Sequence, residues 1–217
     1  MTVGLREHQK QRTRDALSAS AMSLFAEQGF DEVTISQIAE AAGVSKMTVT
    51  NYFPRKQDLV FDRAESTIAS LARAITARPL GQSLLDAIRD DCIARISERD
   101  VTLGPPSAAF ARIVHNSPAL TSRAREIADL REQALGDAIA VETGEDTLQQ
   151  RVVAAQLASV HRALFTETSR RVLAGEPRDA VFAELASSAP WMFALIEPSL
   201  GSYLVREAAT HSGAMTS

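Results

Sequence analysis

Apolar residues recur along this chain every three to four positions, which is the spacing of one face of an α-helix. Leu17, Ala21, Leu24 and Phe25 form the first such stripe, and Gly29 follows it where a helix end is expected. No stretch of the sequence shows a convincing alternation of apolar and polar residues, the pattern of a half-buried strand. The pattern therefore predicts an all-α fold.

Two short helices are predicted after the first stripe. Thr34 and Gln37 have the spacing of a capping box, so a helix should begin there and end near Gly43. Ser45 can cap a third helix, which is predicted to run from Lys46 to Phe53. Two short helices joined by a tight glycine-containing turn are typical of a helix-turn-helix unit.

The rest of the chain is predicted to hold longer helices separated by Gly and Pro residues. Pro177 should be the first residue of the last helix, and Pro190 should kink or divide that helix because proline lacks a backbone N–H. These helices are expected at about residues 56–77, 82–99, 107–116, 118–141, 146–174 and 177 onward, which gives about nine helices in all.

Composition places the chain among soluble globular proteins, since 45% of its 217 residues are hydrophobic and 23% are charged. One cysteine, Cys92, excludes an internal disulfide and fits a reducing compartment. The longest apolar run, Trp191 to Ile196, is too short to span a bilayer, and the N-terminus does not have the pattern of a secretory signal. We therefore expect a soluble cytoplasmic protein.

The formal net charge of −4 excludes a polycation that binds nucleic acid without specificity. Residues 1–60 hold seven basic and seven acidic side chains, so the whole net charge lies in the remainder of the chain. The basic residues of this first part cluster at its two ends, which makes any basic footprint local.

The predicted third helix has one apolar face and one polar face. Val49 and Phe53 are spaced to point inward, while the outward positions carry no acidic residue that a phosphate would repel. An outward Asn51 can contact adenine through its amide, and the methyl groups of Thr or Met can pack on a thymine methyl. The outward set that suits a DNA groove is Met47, Thr48, Thr50 and Asn51, with Lys46 near the helix start, and the phosphate set is Thr34, Ser45, Tyr52 and Lys56.

This segment resembles the DNA-binding domain of the TetR family of transcriptional regulators. The resemblance covers about residues 10–60, and the spacing from Phe25 to Leu59 holds without a gap. It is carried by Arg12, Ala21, Leu24, Phe25, Gly29 and Phe30, by Thr34, Ile35, Ile38, Ala39, Ala42, Gly43, Val44 and Ser45, and by Tyr52, Phe53, Lys56 and Leu59.

The resemblance implies an N-terminal three-helix DNA-binding domain and a C-terminal helical domain for ligand binding and dimerisation. On this basis residues 8–56 form the first, 57–205 the second and 206–217 a flexible tail. The family implies a homodimer through the last two long helices and a small-molecule effector whose binding moves the helix after the DNA-binding domain. The expected function is a repressor of a palindromic operator, released by an apolar or amphipathic effector, with no cofactor.

Two positions depart from the common family pattern. Thr50 stands where the family often has Tyr, which affects the operator sequence that is read. Arg55 stands where the family often has a capping Ser or Asn, so the following helix lacks its usual cap unless Arg55 itself serves phosphate.

The C-terminal half offers candidates for an effector pocket but none for a metal. Aromatic residues at helical spacing could line a cavity or belong to the core or a dimer contact, and the candidates are Phe110, Phe165, Trp191 and Phe193. His115 and His161 share no ligand spacing, so no metal site is expected. The charges from Arg123 to Asp129 are expected to form an exposed helix face.

Two other function classes remain open at the level of sequence. A ligand-independent architectural DNA-binding protein of the same fold would bind many sites and lack a closed pocket. An all-α enzyme is the other, but the chain has no GxSxG elbow, P-loop, GxGxxG or HExxH motif, so no catalytic residues are assigned.

Overall fold

In this computed structural model, residues 3–207 are described, and every regular element among them is helical. The predicted all-α fold is confirmed, with eleven α-helices in this range rather than about nine. They are α1 Val3–Gln28, α2 Ile35–Ala41, α3 Lys46–Tyr52, α4 Ala64–Ile68, α5 Ser70–Ala77, α6 Leu84–Ser97, α7 Ala108–Asn116, α8 Pro118–Thr143, α9 Leu148–Leu173, α10 Arg178–Ala194 and α11 Glu197–Leu200, with 3-10 helices at Lys56–Leu59 and Val101–Leu103.

The helix-turn-helix forms as its local sequence predicts. Thr34 and Gln37 make the capping box at the start of α2. Gly43 adopts a φ of 66°, and the next residue, Val44, donates its N–H to Ala39 O at 2.9 Å. These bonds form a Schellman-type end, which suits glycine because only glycine reaches positive φ without a steric cost. The turn therefore sets α2 against α3 in a fixed geometry.

The expected continuous helix over 56–77 is wrong. It is divided into a 3-10 helix, α4 and α5, because side-chain donors occupy the carbonyls that a continuous helix would use. Ser18 Oγ donates to Leu59 O at 2.8 Å, and an Arg14 guanidinium nitrogen donates to Asp62 O at 3.2 Å. Residues 60–63 form a short non-helical segment, which we call the connector.

The last long helix also differs from its expected form. Pro190 neither divides nor ends α10, which continues to Ala194. Pro190 and Ala186 lie on the exposed face, where water can satisfy the Ala186 carbonyl that proline leaves without a partner. Pro177 precedes α10 as its N-cap rather than opening it.

Buried side chains form two hydrophobic clusters. One joins α1, α2 and α3 to the first 3-10 helix, and it also takes in Ile113 of α7 and Leu120 of α8. The other extends from α5 to α11 around α6, α8 and α9. Because α7 and α8 contribute to the first cluster, the end of the molecule formed by α1, α2 and α3 packs directly on the helices behind it. This end is the one that the sequence predicts to be the DNA-binding end.

The C-terminal segment is held against the start of α6. Arg206 donates its N–H to Gln82 O at 3.1 Å and accepts from Gly81 N at 2.8 Å. The rest of the expected tail, residues 208–217, lies outside the described residues. Among the described helices, none combines the length and the apolar character needed to cross a membrane.

Candidate nucleic-acid interface and effector cavity

The α3 helix is anchored by one face and presents the other. Val49 and Phe53 are fully buried against Ile38 and Ala39, while Met47 on the other side is 68% exposed. Exposed positions also include Lys46, Thr50 and Asn51, and Thr48 is half-buried. The sequence of α3 contains no acidic residue, so its outer face can approach phosphates without charge repulsion.

The hydroxyl groups of α3 are largely engaged within the helix. Ser45 Oγ accepts from Thr48 N at 3.1 Å, and the Ser45 and Thr48 hydroxyls lie 2.9 Å apart. Thr50 Oγ1 donates to Met47 O at 3.1 Å. The Asn51 side chain, by contrast, forms no hydrogen bond with the described part of the chain. Its amide is therefore free to hydrogen-bond a group outside the chain.

The residues that are expected to contact phosphates differ in exposure and in their hydrogen bonds. Thr34 is exposed, and its Oγ1 lies 2.8 Å from Gln37 Oε1 in the capping box. Tyr52 is half-buried against the first cluster. Lys56 Nζ lies 3.4 Å from Asp31 O and 4.3 Å from the centre of the Phe30 ring.

The ammonium group of Lys56 is partly withdrawn from water. Burial lowers its pKa from the usual value, and the neighbouring carboxylates of Asp31 and Glu32 act in the opposite direction. Its place beside Phe30 means that it must give up a cation–π contact to reach a phosphate.

Arg14 fixes the connector to the DNA-binding end. Its guanidinium donates to Tyr52 O at 3.1 Å, in addition to Asp62 O, and stacks 4.4 Å from the centre of the Phe53 ring. One side chain of α1 therefore holds the end of α3 and the connector together. No local sequence pattern indicates this role of Arg14, because it depends on contacts with residues 38 and 48 positions away.

Ion pairs join the same end to α8. Arg123 pairs with Asp58 at 2.9 Å, and the two side chains are only 13% and 16% exposed. Arg55 pairs with Glu126 at 3.2 Å, and Ser117 Oγ donates to Asp31 at 3.0 Å. The expected exposed face is confirmed at Arg125 and Asp129 but is wrong at Arg123, because α8 packs there against the first 3-10 helix.

A cavity of about 320 Å³ lies behind the connector. Its walls come from the connector, α4, the second 3-10 helix, α7, α8 and α9, and Phe61 meets Phe110 edge to face at a centroid distance of 6.3 Å. The lining is mostly apolar and comprises Val60, Phe61, Ala64, Val101, Pro106, Phe110, Ala124, Ile127, Ala128 and Phe165, with Asp62, Arg63, Thr67, Thr102, Arg131 and Arg162 as its polar members.

The four aromatic candidates divide into two pairs. Phe110 and Phe165 line the cavity. Trp191 is 57% exposed on α10, and Phe193 is buried in the second cluster, so neither lines it. Their helix packs against α6 and α9 and contributes no residue to the cavity.

Arg131 is a cavity residue that the sequence reasoning missed. A signal was present, because Arg131 falls in the buried stripe of α8 between Ile127 and Leu135. A charged residue in register with an apolar stripe indicates either a buried ion pair or a ligand contact.

Comparisons with known proteins agree with this arrangement. Residues 17–62 match the family model of bacterial regulatory proteins, tetR family. The chain is 28% identical over 172 residues to the HTH-type transcriptional regulator TcmR of Streptomyces glaucescens, which covers 76% of each protein. It is 40% identical over 55 residues to the uncharacterized HTH-type transcriptional regulator YdeS of Bacillus subtilis, covering 25% of this chain and 28% of that protein.

The fold is also similar to a solved structure, that of NalD, the secondary repressor of the MexAB-OprM multidrug efflux pump in Pseudomonas aeruginosa. The TM-score is 0.54 at 19% identity, over 85% of this chain and 96% of that one. The matched segment spans α1 from Leu17, the helix-turn-helix and the first 3-10 helix, which are the elements that build the exposed α3 face. The chain is therefore similar to bacterial transcriptional regulators of the TetR family, through the family model over residues 17–62 and through TcmR over 76% of its length.

Proposed function

We propose that this protein is a transcriptional repressor that binds a palindromic DNA site as a homodimer and is released by a small effector. One observation carries the proposal. The α3 helix is exposed and contains no acidic residue, and the connector a few residues after it forms part of the cavity wall. Because the connector links α3 to the cavity, ligand binding in the cavity can change the affinity of α3 for DNA.

In this proposal α3 enters the major groove. Met47, Thr48, Thr50 and Asn51 lie near base edges, with Lys46 in the groove at the start of α3. The phosphates are contacted by Thr34, Ser45, Tyr52 and Lys56. Support comes from the exposure of Met47 and Asn51 and from the position of Thr34 and Ser45 at the starts of α2 and α3. Residues 8–56 would then be the DNA-binding domain and 57–205 the effector-binding and dimerisation domain.

Switching requires the effector to bind one conformation more tightly than another. The connector supplies Val60, Phe61, Asp62 and Arg63 to the cavity wall, and its Asp62 carbonyl is also held by Arg14. An effector that displaces Phe61 would therefore shift the connector and, through Arg14, the position of α3.

Dimerisation through the last two long helices, α9 and α10, is supported by exposed apolar side chains on both. Trp191 and Leu195 are 57% and 69% exposed, and Val152 of α9 is 48% exposed. A dimer interface would cover these side chains, and large apolar side chains are typical of protein interfaces. A dimer would bring two copies of α3 to one two-fold DNA site.

The function is tested by selecting the purified protein's targets from a randomised duplex DNA pool and sequencing the retained fraction. A palindromic motif whose retention falls with salt supports a dimeric site-specific regulator. Retention without an enriched motif would instead support the ligand-independent architectural alternative. An absence of retention would contradict the assignment of α3 as the reading helix.

A further inference from the structure

Arg131 is a buried cation at the wall of the cavity. It is 4% exposed and lies on α8 between the buried residues Ile127 and Leu135. Its side chain is one of the residues that line the cavity. The side chain is therefore almost fully withdrawn from bulk water, and it borders the cavity.

This guanidinium lacks a protein counter-charge. Its Nε has no hydrogen-bond partner, and no carboxylate of the described residues lies within ion-pair distance of it. Other well-buried arginines of the described chain differ, since Arg78 pairs with Glu142, Arg95 with Asp91 at 2.6 Å and Arg123 with Asp58 at 2.9 Å. The protein thus supplies partners to its buried arginines elsewhere and not at the cavity.

The surroundings of Arg131 increase the need for an anion. Burial is the main cause that lowers the pKa of Arg131 to about 10, and the charges of Arg162 and Arg95 lower it further, so Arg131 remains protonated at neutral pH. Neither ring nitrogen of the buried His161 beside it has a hydrogen-bond partner among the described residues. An unpaired buried charge is costly, and an anionic ligand group would offset that cost.

We propose that the cavity binds an amphipathic organic acid, with Arg131 binding its carboxylate or acidic phenol and the apolar wall around Phe110 and Phe165 holding its body. A guanidinium forms two parallel hydrogen bonds with a carboxylate, which suits a planar acid group. The mostly apolar lining and the volume of about 320 Å³ fit one small molecule with a single polar end. The inference rests on the proposed function only in taking this cavity as the effector site.

The test compares matched acids, esters and amines on the full-length protein. The probes are 2-naphthoate and decanoate, each beside its methyl ester and the corresponding ammonium compound, titrated calorimetrically at neutral pH. At least one acid should bind about tenfold or more tightly than its ester and its ammonium partner. Equal or tighter binding of the neutral or cationic partners, or no acid binding up to millimolar concentration, would overturn the proposal.

Variants assign the preference to Arg131. Arg131→Met should bind acid and ester equally, whereas Arg131→Lys should keep part of the preference. Arg170→Met is the control, because Arg170 lies on α9 outside the cavity lining, is exposed and is paired with Glu167, and the preference should survive there. A preference for acid that persists in Arg131→Met would refute the assignment. The comparison on the unchanged protein stands even if a variant fails to fold.

Measuring DNA retention in the same preparations separates this inference from the proposed function. If an acid binds but leaves DNA binding unchanged, the anion site is supported and the proposal that this ligand acts as the effector is refuted. DNA binding without any acid preference keeps the regulator and removes the anion site.

Discussion

At the level of single residues, Thr50 and Asn51 are neighbours on the exposed face of α3 but offer different chemistry to DNA. The Thr50 hydroxyl donates to Met47 O, whereas the Asn51 amide forms no bond within the described chain. Asn51→Ala should weaken binding to the selected operator by about 1–3 kcal/mol, and Thr50→Ala by less. Fluorescence anisotropy on the operator and on a scrambled duplex measures both, and equal losses on the two DNAs would contradict base reading by Asn51.

His161 provides a second prediction at this scale. Its pKa lies well below the usual 6.5, first because it is buried and then because Arg131 and Arg95 repel a further positive charge. The unfolded chain therefore takes up a proton near pH 6.5 that the folded chain refuses, so the stability present above that pH is lost as the pH falls.

The expected loss is up to about 1.4 kcal/mol for each pH unit below the unfolded pKa. His161→Leu should flatten the dependence of unfolding free energy on pH between about 7 and 5. His115→Leu is the matched control, because His115 is exposed. Urea unfolding at several pH values measures the slope, and an unchanged slope in His161→Leu would show that another group causes it.

At the level of elements, the break after the first 3-10 helix depends on Arg14. Arg14→Leu removes the donors to Tyr52 O and Asp62 O and leaves two carbonyls without that partner. We expect a loss of about 1–3 kcal/mol in unfolding free energy. Arg12→Leu is the control, since Arg12 lies exposed on the same helix. Denaturant unfolding distinguishes them, and equal effects would mean that Arg14 has no special role.

How far each element could be predicted follows from where its determinants lie. Thr34, Ser45 and Gly43 act within a few residues, so the helix-turn-helix was predictable from local sequence. The connector was not, because Arg14 and Ser18 of a distant helix determine it. Only two of the four predicted pocket aromatics line the cavity, for the same reason. Periodicity indicates whether an aromatic residue is buried on its helix, but not which neighbouring helix it faces.

Close packing of the second 3-10 helix against α9 gives another prediction. Gly104 follows that helix with an extended φ of 167°, and a methyl group there would lie 2.7 Å from Thr168 Cβ on α9. Gly104→Ala should therefore destabilise the protein by about 1–3 kcal/mol through overpacking rather than backbone strain. Adding Thr168→Ala should recover part of the loss, and a double-mutant cycle measures the coupling. Additive effects would rule out this contact as the cause.

At the level of the whole molecule, the DNA-binding end and the cavity share α8. The helix presents Arg123 to Asp58 near the first 3-10 helix, and it presents Ile127 and Arg131 to the cavity one and two turns later. Two routes therefore connect the cavity to α3, one through the connector and one through α8. In the proposed dimer, two α3 helices that read two half-sites need a fixed separation, so the rigidity of these two routes should affect DNA binding.

Arg123→Met tests this requirement. It breaks the partly buried pair with Asp58 and loosens the DNA-binding end on α8 without altering any residue of α3. We expect affinity for the palindromic operator to fall by about tenfold, because a looser separation lowers the fraction of dimers that fit both half-sites, while affinity for a single half-site duplex stays unchanged. Arg170→Met is the control, since it breaks an exposed pair with Glu167 on α9 that contributes little. Equal losses on both DNAs would show instead that Arg123 supports the fold of the DNA-binding end itself.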